Sequence, residues 1–224
     1  MNKFRSGLCV LAILCLMVVG VSMTSSVAEA SGPPPVVIME TSMGRIIIML
    51  DSKSTPKTVE NFLRYVDAGF YDGTVFHRII KMEPDIVADP RKSQSVNIVQ
   101  GGGFVYPLRQ KRPLWGPVVN EDNMSQSNSK GTIAMARGAD PDSATCQFFF
   151  NVLDNTGLDP MTVKKKSTFE DAKSTRRAGY CTFGKVIRGM DVVEKMQQVK
   201  TSRMGQHQNV PTEPIYLKRA YRAK

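Results

Sequence analysis

Hydrophobic positions in this chain fall mostly in short runs rich in β-branched and aromatic residues, separated by Gly, Pro, Asn or charged residues. Val36 to Glu40 and Arg45 to Leu50 are two such runs, and Thr41-Ser42-Met43-Gly44 between them reads as a hairpin turn. Thr74 to Ile80, Val96 to Val99, Gly131 to Ala136, Gln147 to Val152, Thr182 to Ile187 and Ile215 to Arg222 read as further strands. Two stretches have helical spacing instead. Val59, Phe62, Leu63 and Val66 follow i, i+3, i+4, i+7 behind Pro56, with Thr55 or Ser54 as cap and Gly69 as stop. Asp191 is expected to cap a short second helix whose Val192, Val193 and Met196 face inward. Many short strands with two helices predict a mainly β fold, a closed antiparallel barrel with the helices covering its ends. Gly116 to Lys130 reads as polar loop, and two polar inserts lie near 82–95 and 160–178.

The N-terminus breaks this pattern. Lys3 and Arg5 precede an apolar stretch from Leu8 to Val21, and Ala28-Glu29-Ala30 has the small-x-small form of a cleavage site. The stretch is short for a membrane span, so residues 1–30 read as a signal peptide, with an uncleaved anchor as the alternative. The expected mature chain, 31–224, is long enough for one domain with a sizeable core. It would be periplasmic or secreted, without stable membrane insertion, and monomeric.

Composition then narrows the partners. The chain carries 30 basic and 20 acidic residues, and losing Lys3, Arg5 and Glu29 leaves 28 against 19, or +9. The basic residues cluster in loops, as in Lys164-Lys165-Lys166 and Arg176-Arg177, without interleaved aromatics for base stacking. No nucleic-acid partner is expected; a solvated basic surface is the simpler reading. After cleavage Cys146 and Cys181 remain, either as a disulfide suited to an oxidising compartment or as two small buried thiols. No metal or cofactor is expected: neither cysteine has a His or Cys at ligand spacing, and His77 and His207 are far apart in sequence. Gly101-Gly102-Gly103 lacks the Gly-Lys-Ser/Thr ending of a phosphate loop, so close backbone passage explains it better.

Three stretches carry candidate chemistry. Phe76-His77-Arg78 places a cation within an apolar strand, Gln100-Gly101-Gly102 follows a second apolar run, and Gln147-Phe148-Phe149 opens a third. In that order they resemble the core signature of the cyclophilins, the cyclophilin-type peptidyl-prolyl cis-trans isomerases. The resemblance runs from about Val36 to Tyr221 and implies an eight-stranded antiparallel barrel that speeds rotation about X-Pro bonds in proline-containing polypeptides. It implies Arg78 as catalytic donor, with Gln100 and Gln147 fixing Arg78 and the substrate carbonyl. It places Phe76, Ile98, Phe149 and Leu158 at the proline-binding site, Ala136 and Arg137 on the strand that pairs with the peptide, and Tyr180 at the pocket's polar edge.

The chain departs from the family pattern in three places. Twenty-one residues separate Arg78 from Gln100, and Asn97 stands where a pocket phenylalanine is usual. Gly157 replaces an aromatic residue before Leu158-Asp159, and the loop after Asp159 carries the basic insert. Tyr106 or the inserts are candidates to fill the gap. These departures keep a second reading open, a cyclophilin-like peptide-binding module or chaperone with weak or no isomerase activity. A basic surface protein that binds polyanions is a third. Turnover of a short X-Pro peptide separates the first two, and salt-sensitive polyanion binding marks the third.

Overall fold

A computed structural model describes residues 32–82, 96–164 and 174–223. The predicted signal peptide, most of the first insert and the middle of the second lie outside these residues. The first hairpin forms as read, with β1 (Val36–Thr41) paired in register to β2 (Gly44–Leu50). Thr41 Oγ1 donates to Gly44 O across the turn at 2.6 Å. After helix α1 (Pro56–Asp67) come β3 (Thr74–Phe76), β4 (Arg78–Ile80), β5 (Ile98–Gly101), β6 (Phe104–Val105) and β7 (Arg109–Gln110). β8 (Thr132–Met135), β9 (Phe148–Asn151), β10 (Met161–Lys164), β11 (Ser174–Arg177) and β12 (Thr182–Arg188) follow. Helix α2 (Met190–Gln197), β13 (Thr201–Met204), β14 (His207–Pro211) and β15 (Ile215–Arg222) complete the chain.

The main sheet is antiparallel, in the order β4-β5-β9-β8-β12-β2-β1-β15-β3-β6-β7. Its first and ninth members are two halves of one run, divided only at His77, whose N–H donates to Gln100 O. The first half pairs with β15 (Phe76 opposite Ile215), and the second pairs with β5 (Arg78 opposite Gln100). The sheet therefore returns on itself through that shared run, with eight strands around the ring and β6–β7 as a side hairpin.

Period-two alternation fills the interior. Ile46, Ile48, Val99, Ile133, Met135, Phe148, Phe150 and Phe183 point into one core, where α1 adds Val59, Phe62, Leu63 and Val66. Phe62 sits at its centre, with ring centroids 4.9 Å from Phe183, 5.4 Å from Tyr71 and 5.8 Å from Phe148. Each such pair contributes ~0.5–1.5 kcal/mol beyond its buried area. Val192, Val193 and Met196 of α2 join the same core.

Both helix starts differ from expectation. Thr55 is the residue before α1, but its hydroxyl donates to Asp51 O instead of capping the helix. The cap comes from Glu121, whose carboxylate accepts from Lys57 N, Thr58 N and Thr58 Oγ1 at 3.2, 2.8 and 2.7 Å. The polar loop over 116–130 is thus also a source of buried anchoring groups. At α2 the cap position is Gly189, in the left-handed region (φ +86°). A side chain there would collide with Arg45 O, so Asp191 sits inside the first turn and pairs with Lys195.

Cys146 and Cys181 are both free and buried. Burial pushes both thiols up, Cys181 to about 11. Of the two readings open in the sequence, the structure shows the pair of buried thiols.

Candidate active site

Strand register assembles this site. β4, β5, β9 and β8 lie side by side, so Arg78, Gln100, Phe149 and Ala134 form one row across the sheet. The alternate residues Ile79, Val99, Phe150 and Ile133 face the core. The row is therefore on the outer face, and Arg78 is exposed there.

Arg78 Nη1 donates to Gln100 Oε1 at 3.3 Å, and Gln100 Nε2 donates to Gln147 Oε1 at 3.0 Å. One guanidinium and two amides are thus linked in a fixed order. The three glycines make room for this arrangement. A Cβ on Gly101 would stand 2.9 Å from the Phe76 ring, one on Gly102 2.8 Å from the Phe148 ring, and one on Gly103 2.5 Å from Gln147 Cγ. The run is the floor over which two core aromatics and one site amide pack.

Beside this chain of polar groups lies a second apolar cluster, separate from the core. Ile98, Ala134 and Phe149 are its buried centre, and Ile80, Val96, Ala136, Leu158 and Tyr180 pack around them. Tyr180 meets Phe149 edge-on at 5.6 Å. Its backbone N–H donates to Leu158 O at 2.9 Å, which holds the two rim residues together. Ile80, Val96 and Ala134 join the site beyond the residues the sequence points to. Ile80 is legible as the residue two beyond Arg78 on the same face; Val96 and Ala134 need the register.

Several sequence expectations are relocated. Phe76 is not in this cluster: its ring packs on Phe148 and Phe150 in the core, because it falls on the inward phase just before the strand breaks at His77. Ala136 and Arg137 lie just past the end of β8, where they line one hollow with Gln100 and Gln147, and the Ala136 N–H is given to Gln147 O. The Arg137 guanidinium sits 4.5 Å from the Tyr180 ring centre and donates to Ala178 O and Gly179 O, bracing that ring. Asn97 does not face the apolar cluster; its neighbour Val96 does. Tyr106 is exposed and lines a different hollow with Val75, Leu108, Met204 and Pro214, so it does not fill the pocket.

Beneath the cluster runs a buried asparagine network. Asn97 N donates to Asn155 Oδ1, and Asn155 Nδ2 donates to Asn97 O and to Asn151 Oδ1. Asn151 Nδ2 continues to Asn128 Oδ1, and Asn128 Nδ2 reaches Asp159 Oδ1 and Tyr180 O. Asn97 also clamps Met82 through both ends of its amide and accepts from Gln197 of α2. The network thus fixes the base of the first insert, the turn that carries Leu158 and the backbone of Tyr180. Among the described residues, no group of three His, Cys, Asp or Glu side chains is placed to hold a metal ion.

His77 is buried next to Arg78, stacked 4.4 Å from the Phe104 ring, and its Nδ1 has no hydrogen-bond partner among the described residues. Burial lowers its pKa to about 4, and the nearby His207 and Arg78 push the same way. In the unfolded chain it titrates near ~6.5. The unfolded state therefore binds the extra proton first, and stability falls as pH drops from ~6.5 toward 4, by on the order of 3 kcal/mol in all. Denaturant melts between pH 7 and 4 check this: His77→Phe, which keeps the ring stack, should flatten this part of the profile. An unchanged slope would contradict it.

Comparison with known proteins bears on the family. Residues 36–222 match the family model described as cyclophilin type peptidyl-prolyl cis-trans isomerase/CLD. The chain is 41% identical over 209 residues to peptidyl-prolyl cis-trans isomerase A of Dickeya dadantii, covering 93% of this chain and 95% of that one. It is 39% identical to peptidyl-prolyl cis-trans isomerase B of Escherichia coli, covering 81% and 95%. Among solved structures it resembles a Cryptosporidium parvum cyclophilin type isomerase, crystallised in the presence of the dipeptide Ala-Pro. The TM-score is 0.59 at 20% identity, covering 84% of this chain and 99% of that one, a likeness of fold. With a matching model across nearly all of the described fold and relatives of this name covered over 95% of their length, the chain belongs to the cyclophilin-type peptidyl-prolyl cis-trans isomerases.

Proposed function

We propose that this isomerase acts on exported polypeptides, with Arg78 as the catalytic donor, Gln100 and Gln147 as its positioning partners, and the Ile98–Phe149–Leu158–Tyr180 cluster as the seat for the proline ring. The supporting observation is the hydrogen-bonded line Arg78–Gln100–Gln147 along the rim of that cluster. Rotation about an X-Pro bond faces a barrier of ~18–20 kcal/mol because amide resonance must be broken. As the bond twists, the lone pair localises on the prolyl nitrogen. A guanidinium held against that nitrogen stabilises the twisted form more than the planar one, which is what lowers the barrier. The reaction needs no nucleophile and moves no proton permanently. Val96 and Ile80 supply the apolar surface that Asn97 and Gly157 do not.

Residues 1–30 have the form of a signal peptide, which supports action in the periplasm or outside the cell by a monomer cleaved before Ser31. The test is made on protein recovered from the exported fraction of the producing cells. Its intact mass should match a chain starting at Ser31, its scattering mass a monomer, and it should accelerate isomerisation of an Ala-Pro peptide in a protease-coupled assay. A chain retained in the cytoplasm with residues 1–30 attached would refute export. Peptide binding without acceleration would favour the binding-module reading.

A further inference from the structure

We propose that a cleft on the far side of Arg78 from the proline seat is a second substrate subsite, taking a carboxylate or amide side chain from a residue flanking the X-Pro bond. It rests on the isomerase reading above. The cleft encloses about 390 Å³ and is lined by His77, Arg78, Gln100, Phe104 and Gln147 on one side and Gln206, His207, Gln208 and Asn209 on the other. That volume is within the ~300–1,000 Å³ of typical ligand clefts. Arg78, Gln100 and Gln147 belong to both the reactive line and this cleft. A peptide laid across Arg78 with its proline in the apolar cluster therefore has a neighbouring residue here.

The outer wall is the β13–β14 hairpin, and it is held in place. Phe104, paired through β6 to Val75 of β3, lies between His77 at 4.4 Å and His207 at 5.2 Å. The hairpin is thereby stacked onto the strand that carries Arg78. Gln206, Gln208 and Asn209 are exposed, and none of their side chains has a hydrogen-bond partner among the described residues. Asn209 takes the left-handed conformation (φ +59°) that asparagine tolerates better than most residues. At the inner wall the buried His77 leaves Nδ1 unpaired.

The lining selects by chemistry. It contains no carboxylate and one permanent cation, Arg78. A glutamate or aspartate gains attraction from the guanidinium and hydrogen bonds from the amides. A glutamine or asparagine gains the hydrogen bonds alone. A leucine desolvates amides without pairing them, and a lysine meets a like charge.

The mature chain is tested with Ala-Pro-core peptides carrying Glu, Gln, Leu or Lys at each flanking position in turn. Isothermal titration reads binding and the protease-coupled assay reads kcat/KM. At one flanking position affinity should rank Glu above Gln above Leu and Lys, with about tenfold between Glu and Lys, the worth of one charge-assisted hydrogen bond. Gln208→Glu should invert the preference so that Lys binds more tightly than Glu, a gain that misfolding cannot mimic. His207→Ala, which removes the stack on Phe104, should compress the ranking toward unity. Equal affinities within twofold at both positions, or a ranking that neither variant changes, would overturn the subsite. If the ranking holds in binding but the core peptide is not turned over, the isomerase reading fails and the subsite stands.

Discussion

Arg78→Ala is expected to lower kcat/KM on an Ala-Pro peptide by about 10²–10³-fold, the usual loss when one preorganised donor is removed from a site of this kind. The fold should not notice. Arg78 is exposed and, among the described residues, its side chain hydrogen-bonds only to Gln100 at 3.3 Å, while the neighbouring Ile79 packs into the core. Surface changes of this type stay within about 0.5 kcal/mol, so the melting temperature should move by no more than about 2 °C. Arg78→Lys should not restore turnover. An ammonium lacks the planar fork that can donate to Gln100 and to a prolyl nitrogen at once. Wild-type kcat/KM in Arg78→Ala would remove the guanidinium from the mechanism. A parallel fall in melting temperature would make its role structural.

The largest loss of stability is expected from a residue that touches no substrate. Asn155 is buried, and its side chain accepts from Asn97 N at 2.9 Å while donating to Asn97 O at 3.0 Å and Asn151 Oδ1 at 2.7 Å. Asn97 O keeps a second partner in Val152 N, but Asn97 N–H and Asn151 Oδ1 have no substitute among these contacts. Asn155→Ala therefore strands two buried polar groups at ~1–3 kcal/mol each, or about 2–6 kcal/mol together. For a domain of this size, at about 2–4 °C per kcal/mol, that lowers the melting temperature by about 4–24 °C. Thermal denaturation checks it directly, and a shift below 2 °C would show that the network is not what holds the pocket turn. Asn155 is three residues before Leu158 on the same short turn, so KM should rise in the variant before kcat falls.

The two variants divide the site between what the sequence displays and what it hides. Arg78, Gln100 and Gln147 could be singled out because each is polar within an apolar or glycine-rich run. The asparagines gave no such signal. Asn97 and Asn155 are 58 positions apart, and nothing local distinguishes a network amide from a loop amide. Asn97 was expected to mark a missing pocket aromatic, yet the chain presents Val96 to the pocket and spends Asn97 on the insert base and α2.

By itself the sequence determined the strands that carry apolar runs and the apolar faces of both helices, because period two and period 3.6 are local properties of the backbone. It determined the candidate chemistry for the same reason: a cation inside a strand is visible without knowing its neighbours. Only the tertiary structure decided which residues meet. The break at His77 turns one run into two pairings and sends Phe76 inward. The cap of α1 comes from Glu121, more than sixty residues away, while the local hydroxyl of Thr55 is bonded to Asp51 O. The hairpin β13–β14 is polar and short of apolar alternation, so it carries no strand signature in the sequence. Its His207 stacks on Phe104, which in turn stacks on His77, a set of contacts between distant segments that is written in none of them alone.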